Sequence, residues 1–174
     1  MIKNKDYYEL IVIGAGPGGY AAAFRAADLG LDVLLIDRFE ELGGVCLNRG
    51  CIPSKSLLHL AKVIDDSKSV KNLGIKFQKP EINLDKIRTW KESVVSNLNQ
   101  GIAQMAKARG ISRITGSAKF SSNNSIIIEN KDTNTKFTFK NCIIATGSRP
   151  SKISSFPKDA RIMSSTRALL LKDI

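Results

Sequence analysis

The sequence has few of the residues that build disulfide scaffolds and metal centres. Its 174 residues include three cysteines and one histidine. An odd number of cysteines argues against a secreted domain held together by disulfides. A single close pair of cysteines and one histidine supply too few ligands for a zinc site of the usual kind. We therefore expect neither a disulfide framework nor a bound metal.

Long apolar runs are also missing. No run approaches the roughly 18 apolar residues that a membrane-spanning helix needs, and residues 1–8 lack the apolar core of a signal peptide. The composition, 43% hydrophobic and 25% charged residues, is typical of a globular protein and argues against intrinsic disorder. The sequence predicts a soluble, cytoplasmic protein without membrane contact, about one domain in size.

Acidic residues are scarce relative to basic ones: 16 against 27, which gives a formal net charge of +11. Such an excess can mark a nucleic-acid-binding surface, because phosphate contacts supply most non-specific affinity. Here the basic residues are scattered, and their densest stretch, 62–79, alternates with acidic and apolar residues and has few aromatic side chains to stack bases. We therefore expect no nucleic-acid partner. A chain separated from the acidic residues of a larger protein would show the same imbalance.

A strand, helix and strand pattern is present near the start. Residues 9–14 are a short β-branched apolar run, residues 20–29 are rich in alanine, and residues 31–37 are a second apolar run. Such short runs are typical of strands buried on both faces, and the intervening helix makes the right-handed crossover that parallel strands need. The pattern predicts a βαβ unit of an α/β fold.

Three glycines between the first strand and the helix, Gly14, Gly16 and Gly19, match the G-x-G-x-x-G fingerprint. They allow a tight turn, a close approach of the backbone to a pyrophosphate and close packing of helix on strand. Asp37, at the end of the second strand, is placed to accept hydrogen bonds from an adenosine ribose. The spacing predicts a dinucleotide site, and the alternative is a close-packed turn without a ligand. The fingerprint alone does not separate NAD from FAD.

A pair of cysteines, Cys46 and Cys51, lies in a glycine-flanked segment that leads into a helix. A helix N-terminus stabilises negative charge and so favours the reactive thiolate. Besides the disfavoured zinc site, two interpretations stay open: the cysteines pack as small apolar residues, or they form a redox disulfide that cycles by thiolate exchange. A flavin would serve the second, because it passes two electrons between a disulfide and a nicotinamide.

The rest of the chain predicts more helices and then short strands. A helix is expected near 56–69, and the three- and four-residue spacing of apolar residues predicts an amphipathic helix over 84–109. From residue 111 the apolar period shortens towards two. The expected strands lie at 112–115, 119–120, 125–129, 136–140 and 141–147, with a turn at Asn123 and Asn124.

Three motifs together resemble the class I pyridine nucleotide-disulfide oxidoreductases: the fingerprint at 14–19, LGGVCLNRGCIPSK at 42–55 and ATGSRP at 145–150. The second motif is most similar to the branch that oxidises protein-bound dihydrolipoamide, since glutathione and mercuric reductases usually carry Val where this chain has Leu47. The resemblance implies a Rossmann-like FAD-binding α/β domain with a parallel sheet, a helical pair and a small antiparallel β-meander, incomplete in this chain. A related disulfide reductase, or a dinucleotide-binding module without catalysis, is the alternative.

The resemblance also implies roles for individual residues. Cys51 would lie against the flavin ring as a thiolate, Cys46 would exchange with the dithiol substrate, and Lys55 would place a positive charge beside the flavin. Asp37 stands where the family commonly has Glu, which shortens the ribose contact. The further cofactor contacts that it implies are Gly14, Gly16, Gly19, Gly44, Ala118, Thr146, Gly147 and Ser148. The alternatives are a solvated lysine at 55 and ordinary turn residues at 146–148.

Members of that family are more than twice as long and add an NAD-binding domain, a return segment of the FAD domain and a dimerisation domain. We therefore expect residues 1–150 to be the first part of the FAD domain and residues 151–174 to be a linker towards a missing NAD domain. In the homodimeric parent, electrons would pass from lipoyl domains of 2-oxo acid dehydrogenase or glycine cleavage complexes, through the cysteine pair and FAD, to NAD. The chain alone is expected not to complete this cycle.

Overall fold

The structure, a computed structural model, describes residues 5–130, 133–151, 153–157 and 159–172. Its strands are β1 (Tyr7–Ile13), β2 (Val33–Asp37), β3 (Ser112–Thr115), β4 (Ser117–Ser122), β5 (Ser125–Glu129) and β6 (Asn134–Ile144). Its helices are α1 (Pro17–Asp28), α2 (Gly44–Arg49), α3 (Cys51–Ser69), α4 (Leu84–Ala108) and α5 (Ser165–Ala168), with a short 3₁₀ helix at Val70–Leu73. The chain divides into two compact units, the first within residues 1–46 and 99–149 and the second within residues 47–98 and 150–174.

A mixed sheet organises the first unit, with strands in the order β3-β2-β1-β6-β5-β4. The strands β3, β2, β1 and β6 run parallel, and β5 and β4 continue the sheet in antiparallel pairing. In β1, Leu10 lies opposite Val33 of β2, and Ile13 lies opposite Ile144 of β6. The sheet confirms the predicted α/β class, with a βαβ unit and an antiparallel meander.

Strand β6 joins the two halves of the sheet. Its first residues pair with β5, with Ser125 opposite Thr138, and from Thr138 onward it pairs with β1. The sequence suggested two strands here, because the polar pair Lys140 and Asn141 resembles a break. The structure corrects this: both residues are exposed positions of one continuous strand, just beyond the point where the antiparallel pairing ends.

The core of the first unit spans both halves of the sheet. Its buried members come from β1, β2, β5 and β6: Tyr8, Ile11, Leu34, Ile36, Ile126, Ile128, Phe137 and Phe139. The rings of Tyr8 and Phe137 pack with centroids 5.9 Å apart at a tilted angle. Because the parallel and antiparallel strands bury side chains in one cluster, apolar burial holds the meander against the βαβ unit.

Helix α1 starts three residues before the predicted position. Pro17 occupies its first turn, where the missing amide hydrogen costs no helical bond and the fixed φ suits the helix. Gly19, Ala23 and Ala26 form its buried side, so small residues let the helix approach the sheet closely. Gly30, at φ +87°, follows the end of the helix and donates its N–H to the carbonyl of Ala27.

The second unit is mainly helical. Helix α3 starts at Cys51 rather than near the predicted residue 56, and α2 was not predicted, because glycine, proline and cysteine in this segment resembled a loop. Helix α4, whose residues up to Leu98 belong to this unit, runs through Gly101 without interruption, as predicted. Its residue Lys91 is buried and donates to the carbonyl of Leu169, 2.8 Å away, and Arg88 donates to that of Leu171 at 2.6 Å. These bonds attach the C-terminal segment of this unit to α4.

Among the helices in the described ranges, none combines the length and the apolarity that crossing a bilayer requires.

Candidate functional site

At the carboxyl end of β1, in the first unit, the neighbouring strands lie on opposite sides and the chain connections diverge. From β1 the chain passes through α1 to β2 on one side, whereas β6 pairs with the other side of β1. In parallel α/β sheets, ligands bind at the carboxyl ends of strands where the connections diverge in this way. The loops that follow β1 and β6 are residues 14–16 and 145–148, and both contain predicted site residues.

The glycine fingerprint forms a turn that admits no side chain at two of its positions. Gly14 has φ +102°, and a Cβ there would lie 2.3 Å from the carbonyl oxygen of Ala145. A Cβ at Gly19 would lie 1.7 Å from the carbonyl oxygen of Gly14. Gly14 also donates its N–H to Ile36, 2.7 Å away. The loops after β1 and β6 therefore touch through bare backbone, and the approach of this turn to a pyrophosphate stays a prediction.

A second pair of glycines packs on the same turn. Gly43 donates its N–H to the carbonyl oxygen of Ala15 at 2.8 Å. A Cβ at Gly44, which has φ +57°, would lie 2.7 Å from the Cα of Gly16. The segment that precedes Cys46 is thus hydrogen-bonded to the fingerprint loop.

The N-terminus of α1 has the properties of an anion site. Its N-cap residue, Gly16, offers no side-chain acceptor to the first-turn amides, and the first turn contains no acidic residue. A Cβ added at Gly18 would meet none of the described atoms within 4 Å. Amide groups at such an end, together with the helix dipole, attract phosphate. The backbone around Gly16 and Gly18 therefore fits a pyrophosphate in both shape and charge.

Asp37 is half-buried at the end of β2, and both of its carboxylate oxygens accept backbone hydrogen bonds. Oδ2 accepts from the N–H of Ala15 at 2.7 Å, and Oδ1 accepts from the N–H of Phe39 at 3.0 Å. Its own carbonyl accepts from Gly116 at 2.8 Å, and Ala118 lies two residues further on, in β4. The end of β2 is therefore bonded to the residue just before β4, the strand that contains Ala118, and the contact of Asp37 and Ala118 with adenosine stays a prediction.

The loop after β6 is exposed. Ala145 donates its N–H to Ile13 at 2.7 Å, which fixes the start of the loop beside β1. Thr146, Gly147 and Ser148 follow as exposed residues, and Gly147 has φ +69°. These residues stand at the predicted end of the sheet, and their role towards a cofactor stays a prediction.

The two cysteines of the motif lie on different helices. Cys46 is a half-buried residue of α2 in the first unit, and Cys51 is the exposed first residue of α3 in the second. Lys55 follows Cys51 by four residues, so both lie on one face of α3, and Lys55 is exposed. The redox disulfide and the flavin contact of Lys55 stay predictions.

Two other observations bear on the cysteine chemistry. Cys142, in β6, packs against the core of the first unit, and burial raises the pKa of its thiol above the ordinary value, so it stays protonated at neutral pH. Leu47, used to separate branches of the family, is buried, so packing alone accounts for an apolar residue there. Within the described ranges, no three metal-ligating side chains cluster.

The sequence did not single out Ala15, Gly43 or Ala145 as parts of this site. Each contributes backbone groups only, through Ala15 and Gly43 hydrogen bonds and the contact of Ala145 with Gly14. The only available signal was adjacency to the motif glycines, since an alanine or glycine side chain carries no chemistry of its own.

The sheet, the crossover helix and the glycine turn at the diverging strand ends define a Rossmann-like α/β domain. The chain belongs to the family described as pyridine nucleotide-disulphide oxidoreductase, which matches residues 8–173. The match covers nearly all of the chain and agrees with the resemblance found from the motifs.

Relatives in this family carry the name dihydrolipoyl dehydrogenase. One from Buchnera aphidicola subsp. Acyrthosiphon pisum is 50% identical over 174 residues, covering 99% of this chain and 37% of the relative. One from Vibrio cholerae is 50% identical over 167 residues, covering 95% and 35%, and one from Bacillus subtilis is 42% identical over 166 residues, covering 95% and 35%. The chain therefore spans about a third of the length of the curated relatives it matches.

Proposed function

We propose that this chain forms the FAD-binding part of a dihydrolipoyl dehydrogenase, which oxidises protein-bound dihydrolipoamide to lipoamide and passes the electrons to NAD. The observation that carries the proposal is the fingerprint turn at the carboxyl ends of β1 and β6, packed against the glycine pair that leads to Cys46. The name shared by relatives that are about 50% identical supports the choice of substrate.

The residues present fit FAD. The turn at Gly14, Gly16 and Gly19 would hold the pyrophosphate, because its backbone is bare and the α1 N-terminus is electropositive. Asp37 and Ala118 would contact the adenosine, since the end of β2 is hydrogen-bonded to Gly116, two residues before Ala118. Gly44 packs on Gly16, and the loop at 146–148 follows the adjacent strand, so these residues would border the same cofactor.

The cysteine pair would supply the thiol chemistry. When bound, FAD supplies two-electron exchange with a dithiol pair and with a nicotinamide. In the oxidised chain, a thiolate of dihydrolipoamide would attack the sulfur of Cys46 and break the Cys46–Cys51 bond, releasing the Cys51 thiolate. The second substrate thiol would then displace Cys46, which leaves lipoamide as a disulfide and both cysteines reduced. Two electrons and two protons leave the substrate in this exchange.

Lys55 would act through its charge. It lies one helical turn from Cys51 on the same face of α3, and the first turn of that helix contains no acidic residue. A cation at this position favours negative charge on groups that the same face contacts. Its predicted partner is the reduced flavin.

The remaining assignments belong to the same proposal. Residues 1–150 would form the first part of the FAD domain and residues 151–174 the link to an NAD domain. Homodimerisation and docking of lipoyl domains from 2-oxo acid dehydrogenase or glycine cleavage complexes would be properties of the longer enzyme. The odd number of cysteines favours a reducing compartment such as the cytoplasm.

An anaerobic titration tests the proposal. The chain is loaded with FAD, its cysteines are oxidised with a mild oxidant, and dihydrolipoamide is added while thiols and the visible spectrum are recorded. We expect the wild-type chain and the matched control Cys142→Ser to consume one dithiol per chain. Cys46→Ser and Cys51→Ser should consume none, because neither can form the disulfide.

Two results would contradict the proposal. One is equal consumption of dithiol by the Cys46→Ser, Cys51→Ser and wild-type chains. The other is faster reduction by glutathione than by dihydrolipoamide, which would favour a related disulfide reductase instead.

A further inference from the structure

Both backbone polar groups of Ala15, its N–H and its carbonyl, are hydrogen-bonded. Its N–H donates to Oδ2 of Asp37 at 2.7 Å, and its carbonyl accepts from the N–H of Gly43 at 2.8 Å. Ala15 itself is fully buried, in the middle of the fingerprint turn. One backbone unit therefore connects the end of β2 with the glycine pair that precedes Cys46.

The carboxylate of Asp37 is well suited to hold this unit. It accepts one bond at each oxygen, the second from Phe39 at 3.0 Å, and it is half-buried. Hydrogen bonds to an ionised acceptor are stronger than neutral ones, and partial burial strengthens them further. A carboxylate has about four lone-pair positions, so these two bonds leave acceptor capacity for a ribose.

We propose that Asp37 is a positioning residue: it fixes the Ala15 peptide and thereby couples the nucleotide turn to the Gly43–Gly44 segment before Cys46. Its use in holding FAD rests on the proposed function above. The coupling itself is a property of the chain without nucleotide, because every bond that carries it joins residues of this chain. A residue that acted only on ribose would leave the nucleotide-free chain unchanged.

Amide hydrogen exchange of the nucleotide-free, 174-residue chain tests this. In Asp37→Ala, exchange at Ala15 should accelerate by roughly tenfold or more, the loss expected for a bond to a charged acceptor. Exchange at Gly43 should accelerate with it. The amide of Gly14 is the internal reference, because it donates to Ile36 and not to Asp37.

Two further variants serve as controls, one for loss of folding and one for effects of a substitution elsewhere. Asp37→Asn preserves the volume and one acceptor oxygen, so one of the two amides, Ala15 or Phe39, should keep its protection even if Asp37→Ala does not fold. Asp65→Asn, at an exposed position of α3, should change none of these rates. Unchanged exchange at Ala15 in both Asp37 variants would overturn the proposal, and so would faster exchange at Ala15 with no change at Gly43. Neither result depends on whether the chain binds FAD.

Discussion

At the scale of single residues, neighbouring glycines of the fingerprint differ sharply in what they tolerate. A Cβ at Gly19 would lie 1.7 Å from a backbone oxygen, whereas a Cβ at Gly18 would meet none of the described atoms within 4 Å. Both glycines lie in the first turn of α1. Conformational freedom is therefore not what distinguishes them, and close packing is.

We predict opposite effects for the two alanine substitutions. Gly19→Ala should destabilise the chain by about 2 kcal/mol or more, because a backbone oxygen must move. Gly18→Ala should stabilise it by roughly 0.5 kcal/mol, since it lowers the entropy of the unfolded chain without a clash. Urea unfolding of the nucleotide-free chains measures both. Equal midpoints for the two variants would show that the turn is not packed as described.

The hydroxyl of Tyr8 gives a second prediction. Tyr8 is fully buried, and its oxygen has no hydrogen-bond partner among the described residues. An unsatisfied buried hydroxyl costs about 1–3 kcal/mol, so Tyr8→Phe should leave stability unchanged or raise it. Tyr7→Phe, at a position that is 48% exposed, is the matched control and should have little effect. A loss of more than about 1 kcal/mol for Tyr8→Phe in urea unfolding would contradict this packing.

Cys142 gives a prediction of pH dependence. Burial raises the pKa of its thiol above the ordinary value of 9.0. Near pH 8 it should therefore react with iodoacetamide more slowly than the exposed Cys51, as peptide mapping of the alkylated chain would show. Because its folded pKa is the higher one, its contribution to stability is complete below the unfolded pKa and falls as the pH rises through the folded value. Faster alkylation of Cys142 than of Cys51 would contradict its burial.

At the scale of elements, helix α4 anchors the segment that contains α5. Lys91 is 4% exposed and donates to Leu169, and this bond holds the segment together with the bond from Arg88 to Leu171. Lys91→Met keeps the apolar stem of the side chain but removes the hydrogen bond.

We expect Lys91→Met to change stability little and to accelerate tryptic cleavage after Arg167 several-fold, because the anchored segment opens more often. Cleavage after Lys62, in α3, serves as the reference within the same digest, and mass spectrometry would follow both. Unchanged cleavage after Arg167, relative to Lys62, would rule out the anchor.

The sequence predicted those helices, strands and turns that are marked by an apolar run, a glycine motif or a helical spacing of apolar residues. The apolar runs of β1 and β2, the glycine turn and the amphipathic period of α4 identified those elements to within a few residues. Helix α2 and the start of α3 at Cys51 were missed, since the glycines and cysteines of residues 39–55 resembled a loop. The two-partner pairing of β6 was missed because only tertiary structure reveals it.

The candidate site also contains some features that the sequence predicts and others that only the tertiary fold determines. Its motif residues could be located from spacing, because the fingerprint glycines and the cysteine segment are specific patterns. The bonds of Asp37 to Ala15 and of Gly43 to Ala15 could not, because they join backbone groups whose neighbours depend on how the strands order in the sheet.

At the scale of the whole molecule, the first unit contains every residue that would hold the ADP part of FAD. The fingerprint turn, Asp37, Gly44, Ala118 and the loop after β6 all lie within residues 1–46 and 99–149. Cys51 and Lys55 lie in the second unit. The residues proposed to hold the nucleotide therefore all belong to the first unit, together with Cys46.

An equilibrium titration of the nucleotide-free chain with FAD, followed by flavin fluorescence, tests whether this chain holds FAD by its pyrophosphate and adenosine. We predict saturable binding of one FAD per chain, competition by ADP, and weak or no binding of riboflavin, which lacks the pyrophosphate and adenosine. Gly19→Ala should abolish this binding, and Asp65→Asn, at an exposed position of α3, should preserve it. Equal binding of riboflavin and FAD, or no saturable binding of either FAD or ADP, would contradict the account.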